Sequence, residues 1–178
     1  MKKLYFTRHG ETVWNVENKI CGVTDIGLTQ LGREQADALG EMIAQGNLGI
    51  DEILCSPLIR ARETAQRIAE KTGIPLRVEP RLKEQCFGRF EGTPRNGEEF
   101  LLSKRSFADS YGGGESMLRL ASRIYPLLDE LKNDDRVYLL AAHNGIARVV
   151  YSYFHDMTNE EYGGFGIKNC DILEFEYK

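Results

Sequence analysis

The chain has 178 residues, 42% hydrophobic and 28% charged, with a formal net charge of -4. That length and mix predict one globular domain, residues 1–178, with a substantial core. The weak negative charge speaks against nucleic-acid and membrane-surface partners, and no apolar run approaches the ~20 residues that span a bilayer. The start, Met1-Lys2-Lys3-Leu4, is basic like a signal peptide, but Arg8, His9 and Glu11 follow at once and leave no apolar signal core. Cys21, Cys55, Cys86 and Cys170 are widely spaced and form no CxxC pair. They are expected to be free thiols in a reducing cytoplasm, without a metal or disulfide to hold.

Strand-like and helix-like segments alternate along the chain. Lys3–Thr7 predicts a first strand. Thr29–Ala44 carries Leu31, Ala36, Leu39, Gly40 and Ile43 at helical spacing, with Thr29 as N-cap and Gly46 as stop. Glu52–Cys55 predicts a second strand. Ser56-Pro57 then opens a helix to about Thr72, with Ser56 as cap, Pro57 at the first position and Gly73 as stop. Leu76–Val78 reads as a third strand. Residues 84–114 show no clear period and are rich in glycine, which predicts a loop or lid at about 85–114. Glu115–Lys132 returns to helix. Val137–Ala142 is an uninterrupted apolar run suited to a buried central strand. Gly145–His155 reads as helix and Asp171–Tyr177 as a last strand. This alternation predicts a three-layer α/β/α sandwich with a mostly parallel central sheet. Ligands of such sheets sit outside the carboxyl ends of the strands.

Three groups stand immediately after predicted strands: Arg8-His9, then Ser56-Pro57 with Arg60, then His143. The sheet edge gathers them. A neutral imidazole is a nucleophile near neutral pH, whereas a guanidinium is always charged and matches phosphate oxygens. In-line attack by His9 on phosphorus forms a phosphohistidine, with Arg8 and Arg60 on the equatorial oxygens. His143, when protonated, adds donors to the same oxygens. The leaving alkoxide then requires a proton from a positioned acid.

The order of motifs resembles that of the histidine phosphatase superfamily, also called the phosphoglycerate mutase-like family. The resemblance rests first on Arg8-His9-Gly10-Glu11-Thr12 with Trp14-Asn15, then on Gly22 to Thr29 with Gly32 and Gln35-Ala36. It continues through Ser56-Pro57-Leu58-Ile59-Arg60-Ala61-Arg62-Glu63-Thr64-Ala65, Arg81-Leu82-Lys83-Glu84, Gly88-Arg89-Phe90-Glu91-Gly92 and Ala142-His143-Asn144-Gly145. These motifs cover nearly the whole chain. The resemblance implies that His9 is the phosphorylated nucleophile and that Arg8, Arg60 and His143 form the phosphate pocket. It implies a polar contact from Asn15 to the phosphoryl group, and Glu84 as proton donor and later as the base that activates water. Thr24 falls in the loop that lines the substrate side.

Two departures shape the expectation. The family's usual Gly-Gly after the second histidine is Asn144-Gly145 here. Some acid phosphatases carry an aspartate donor there, and an asparagine cannot act as an acid, which leaves Glu84. Phosphoglycerate mutases also carry a longer insertion after the glutamate and a C-terminal tail. Only residues 85–114 stand in for the insertion, and an open pocket admits water to the phosphoenzyme. Hydrolysis of a small phosphomonoester is therefore expected, without metal or organic cofactor. A mutase and a silent phospho-ligand-binding protein of the same fold are the alternatives. His155 is expected to be structural and Glu91 a loop carboxylate. Arg62 and Arg67 read as helix surface charges. Arg89, Arg95, Lys104 and Arg105 are either a solvated loop or a grip for a second anionic group.

Overall fold

The computed structural model describes residues 2–178. Its elements are β1 (Lys3–Arg8), α1 (Val13–Val16), α2 (Gln30–Gly46), β2 (Glu52–Cys55), α3 (Ile59–Thr72) and β3 (Leu76–Val78). Then come α4 (Glu98–Ser103), α5 (Met117–Asn133), β4 (Tyr138–Ala142), α6 (Asn144–Phe154), α7 (Asn159–Gly164) and β5 (Ile172–Glu176). The sheet order is β3-β2-β4-β1-β5. Every pairing is parallel except that of β5, which runs antiparallel along β1.

Side-chain alternation along the strands divides the core into two faces. Leu4 and Phe6 of β1, with Leu140 and Ala142 of β4, pack against Leu120 and Ile124 of α5 and Val149 and Val150 of α6. Tyr5, Leu139 and Ala141 point the other way, onto Leu39 and Ile43 of α2 and Ala65 and Ile68 of α3. Helices cover both faces, so the central strands are apolar on both sides and carry no polar alternation. This is the expected three-layer α/β/α arrangement. The carboxyl ends of β1, β2 and β4 share one edge, because these strands are mutually parallel.

Several boundaries differ from the expectation. Ser56-Pro57 does not open α3. That helix starts at Ile59, and its first free amide is capped from a distant loop: Ile59 N–H donates to Asp25 Oδ1 at 2.8 Å. Ser56 is thereby released to face His143. Gly46 lies inside α2, which ends on Asn47 in the left-handed region at φ 44°. Leu31 is exposed, and Gly32 takes the inner position instead. The backbone of Gly32 lies so close to Gly10 and Glu11 that a Cβ on Gly10 or Gly32 would overlap it. The stretch from 84 to 114 is not all loop. It contains a 3₁₀ turn, Gly88–Phe90, and helix α4. Ile20, Phe87, Phe90, Phe100 and Tyr111 form a small apolar cluster under it. The short helices α1 and α7 were not expected; each is closed by a capping box, from Thr12 to Asn15 and from Thr158 to Glu161.

Candidate active site

β1 ends in Arg8, and His9 continues its extended path, with His9 N–H on Ala142 O at 3.0 Å. Asn169 Nδ2 donates to His9 O at 2.8 Å, and Gly10 N–H donates to Thr64 Oγ1 at 3.0 Å. The backbone on both sides of the imidazole is therefore held. The His9 side chain lies with Nδ1 2.7 Å from Gly10 O. A carbonyl only accepts, so Nδ1 carries the proton and Nε2 keeps its lone pair. Burial first, then the Arg60 and Arg8 charges, hold this imidazole well below the ordinary histidine range. It is neutral at neutral pH, which is the nucleophilic form.

The strand ends do bring His9 and His143 together, with ring centroids 5.2 Å apart. His143 caps the N-terminus of α6 and is fully buried. Its Nε2 is 2.7 Å from Ser56 Oγ, while Leu58 N–H donates to that same Oγ. With the serine hydroxyl donating to Nε2, His143 Nδ1 carries a proton. That Nδ1, Arg8 Nε and Arg60 Nε are buried and lack a partner among the described residues. Orphaned buried donors are rare in folded proteins, and these belong to His143, whose ring adjoins that of His9, and to the two arginines whose charge acts on His9. They suit an incoming oxyanion.

Arg8 donates from Nη1 to Ile167 O at 2.8 Å, and burial, then Arg95, pushes its pKa down to about 10. It stays charged at neutral pH. Arg60 is placed differently. It is fully buried in α3, and its Nη2 and Nη1 donate to Gly22 O and Thr24 O at 2.6 and 2.9 Å. Its Nε stays unpartnered among the described residues, and its charge acts on His9. Thr24 is turned away, its hydroxyl donating to Glu91 Oε2 at 2.7 Å. Asn15 lines the cavity, and its Oδ1 accepts from Thr12 N–H and Asn169 Nδ2.

Glu84 lines the same cavity. Its carboxyl accepts from Gln85 N–H at 2.8 Å and Gly145 N–H at 3.1 Å. The turn before it is braced by Arg123 of α5, which donates to Lys83 O and pairs with Glu115. Burial is the largest influence on this carboxyl and raises its pKa above the ordinary 4.5, against the backbone N–H donors. A raised carboxyl pKa suits a proton donor. Asn144 Oδ1 accepts from Ile167 N–H at 2.9 Å, so this residue ties the segment before β5 to the cavity.

Other residues complete the site. Glu91 is far more than a loop carboxylate. It accepts from the amides of Gly22, Val23, Thr24 and Phe87, and so positions the carbonyls that receive Arg60. Of the loop cations, Arg95 and Lys104 line the cavity, whereas Arg89 pairs with Glu99 and Arg105 is exposed. Arg148 of α6 also lines it and is buried. The sequence reading missed Arg148, although it is the lone charge in the otherwise apolar run from Ile146 to Val150. Phe87 and Phe100 form apolar walls. His155 lies elsewhere, against Tyr151 with centroids 4.3 Å apart.

The chain is similar to several known proteins. The probable phosphoglycerate mutase GpmB of Yersinia pestis is 30% identical over 188 residues, which span 100% of this chain and 86% of that protein. A mutant phosphoserine phosphatase from Entamoeba histolytica, solved with phosphoserine, superposes at TM-score 0.84 with 31% identity, covering 100% of this chain and 92% of that one. A mycobacterial glucosyl-3-phosphoglycerate phosphatase, solved with VO3, gives TM-score 0.85 at 28% identity over 98% and 90% of the two chains. Residues 4–178 match the histidine phosphatase superfamily (branch 1), and the chain belongs to that family.

Proposed function

We propose that this protein hydrolyses small phosphomonoesters through a phosphohistidine on His9, with Glu84 as proton donor. The observation that carries this reading is the state of His9: neutral, protonated on Nδ1, and keeping the Nε2 lone pair free in a cavity it lines together with Arg8 and Glu84. In the first step Nε2 attacks phosphorus in line, the ester P–O bond breaks, and the leaving oxygen takes the Glu84 proton. In the second, ionised Glu84 takes a proton from water. The resulting hydroxide attacks phosphorus, the P–N bond breaks, and phosphate departs with Glu84 reprotonated. Arg8 and His143 hold the phosphoryl oxygens, Asn15 adds a polar contact, and Arg60 supplies charge and its free Nε donor. Thr24 acts on substrate through its backbone loop, since its hydroxyl is committed to Glu91. Phosphatases among the similar structures support hydrolysis. Likeness to a probable phosphoglycerate mutase supports a second reading, in which the phosphoryl group passes to another alcohol.

No described helix is long and apolar enough to cross a membrane. The cysteines are unpaired, which fits a reducing compartment such as the cytoplasm. Steady-state hydrolysis of an aryl phosphate, without any phosphorylated primer, tests the reading. Wild type turns over alone and His9→Ala loses at least ~10³-fold, in the range seen when an enzyme's nucleophile is removed. A primer requirement favours the mutase reading, and near wild-type activity in His9→Ala excludes the phosphohistidine.

A further inference from the structure

Asn169 lies in the turn between α7 and β5 and does not line the cavity, yet it touches two groups of the reaction. One nitrogen serves both: Nδ2 donates to His9 O at 2.8 Å and to Asn15 Oδ1 at 3.2 Å. A carbonyl oxygen only accepts, so this end of the carboxamide is the NH2, and both of its hydrogens are spent. The backbone delivers the side chain there. Cys170 N–H donates to Arg8 O at 2.9 Å and Thr7 Oγ1 donates to Asp171 O at 2.8 Å, which fixes the approach to β5 against the end of β1. Cys170 holds φ 58°, a left-handed conformation that a cysteine seldom adopts. Such strain persists where surrounding contacts over-determine it, and it clusters at functional sites.

Each bond has a consequence at the cavity. His9 O belongs to the His9–Gly10 peptide, whose N–H is held by Thr64 Oγ1 at 3.0 Å. Both ends of that peptide plane are tied, where glycine at 10 would otherwise leave it free to turn. The next carbonyl, Gly10 O, receives the His9 Nδ1 proton at 2.7 Å. Holding the plane therefore holds the ring in the tautomer that leaves Nε2 unprotonated. Asn15 is set in the same manner. Its Oδ1 is taken by Thr12 N–H and Asn169 Nδ2, so the amide cannot flip without losing both bonds. Its own Nδ2 has no partner among the described residues, and Asn15 lines the cavity. That NH2 is left for a phosphoryl oxygen. We propose that Asn169 is a positioning residue that holds His9 as the Nδ1-protonated nucleophile and turns the Asn15 NH2 toward the phosphoryl group. This inference rests on the hydrolase reading for which atom reacts.

The test is a double-mutant cycle on Asn169→Ala and Asn15→Ala, read by turnover of 4-nitrophenyl phosphate and by the inhibition constant of inorganic phosphate. Asn169→Ala should lower kcat by about 10²-fold, the loss that a misplacement of about 1 Å brings. It should weaken phosphate binding about tenfold, the size of one hydrogen bond to a charged group, and by nothing further once Asn15 is alanine. Asn169→Asp keeps the side chain's shape but lacks both donors, and it should lose kcat to the same order; it serves where the alanine variant does not fold. Nitrogen-15 NMR of the His9 ring should show the Nδ1–H form in wild type and a mixture of tautomers in either variant, a signature that loosened packing elsewhere does not produce. Wild-type kcat and a wild-type ring spectrum in both variants overturn the proposal, as does a phosphate loss that is equal in both Asn15 backgrounds. If wild type turns over no ester, the hydrolase reading fails on its own. Calorimetry with inorganic phosphate and the ring spectra then decide the positioning role. Weaker phosphate binding that disappears in the Asn15→Ala background, with mixed tautomers, supports it; unchanged binding with a single tautomer rejects it.

Discussion

The Glu84 carboxyl is seated on the backbone of residue 145: Gly145 N–H donates to Glu84 Oε2 at 3.1 Å, and a Cβ at 145 would overlap Oε1. Glycine is required here for close approach. Gly145→Ala should displace the carboxyl and lower kcat on alkyl phosphates by about 10-fold or more, a part of what a general acid contributes. Far-UV circular dichroism and the denaturation midpoint check that the fold survives. Unchanged kcat would detach Glu84 from the chemistry.

Glu84→Gln keeps the shape and removes the acid. Loss of about 10² to 10³-fold is expected on alkyl phosphates and much less on an activated aryl phosphate, whose leaving group needs no proton. The pH profile carries the same information. Glu84 must be protonated for the first step, and its pKa is raised from 4.5 by burial. Wild-type turnover of alkyl esters should decline as pH rises through that raised value, and the limb should vanish in the variant. Equal losses on both ester classes point to another acid.

Asp25 caps α3 from outside the helix, through Ile59 N–H at 2.8 Å. Asp25→Ala should cost about 1 kcal/mol of stability, the usual size of a lost N-cap. Arg60 begins on the next residue, so KM should rise as well. Urea denaturation and steady-state kinetics measure the two effects; a neutral change in both contradicts the assignment.

Glu91 ties the amides of Gly22, Val23 and Thr24 to that of Phe87. Removing it strands buried donors, and each hydrogen bond to a charged group is worth about 1.5–3 kcal/mol. Glu91→Ala should lower stability by roughly that amount or more. Differential scanning calorimetry reads the loss, and a change below about 0.5 kcal/mol, the size of an ordinary surface substitution, contradicts the clamp.

The two buried histidines, His9 and His143, make stability depend on pH. Burial first, then Arg60, holds both imidazoles well below the ordinary 6.5. Below that pH the unfolded chain takes protons that the folded chain refuses. Stability therefore falls as pH drops below about 6.5, by about 1.4 kcal/mol per unit for each imidazole. Glu84 acts oppositely: its raised pKa contributes stability that is full below 4.5 and is lost as pH rises through the raised value. Comparing His143→Asn with wild type isolates one imidazole. The slope of denaturation midpoint against pH should become shallower in the variant, and an unchanged slope contradicts a neutral buried His143.

The alternation of strands and helices was legible because both sheet faces are covered, which leaves long apolar runs such as Tyr138–Ala142. The convergence of His9 and His143 followed from the parallel strands. What escaped was set by tertiary contacts. Ser56 reads as a helix cap in isolation, but Asp25 takes that position and Ser56 meets His143. Arg60 reads only as a phosphate ligand, and nothing in the sequence shows that the carbonyls of Gly22 and Thr24 also receive its fork. The helices α1 and α7 are too short to show a period, and only their capping boxes announce them.

The nature of the intermediate is the central claim, and it can be measured on the intact protein. A single turnover with an aryl phosphate, acid-free quenching, and mass spectrometry of the peptide carrying His9 would detect it. A phosphoryl group on His9 that forms at the rate of the aryl burst and decays at the rate of phosphate release is the predicted result. Full turnover with His9 never phosphorylated would contradict it.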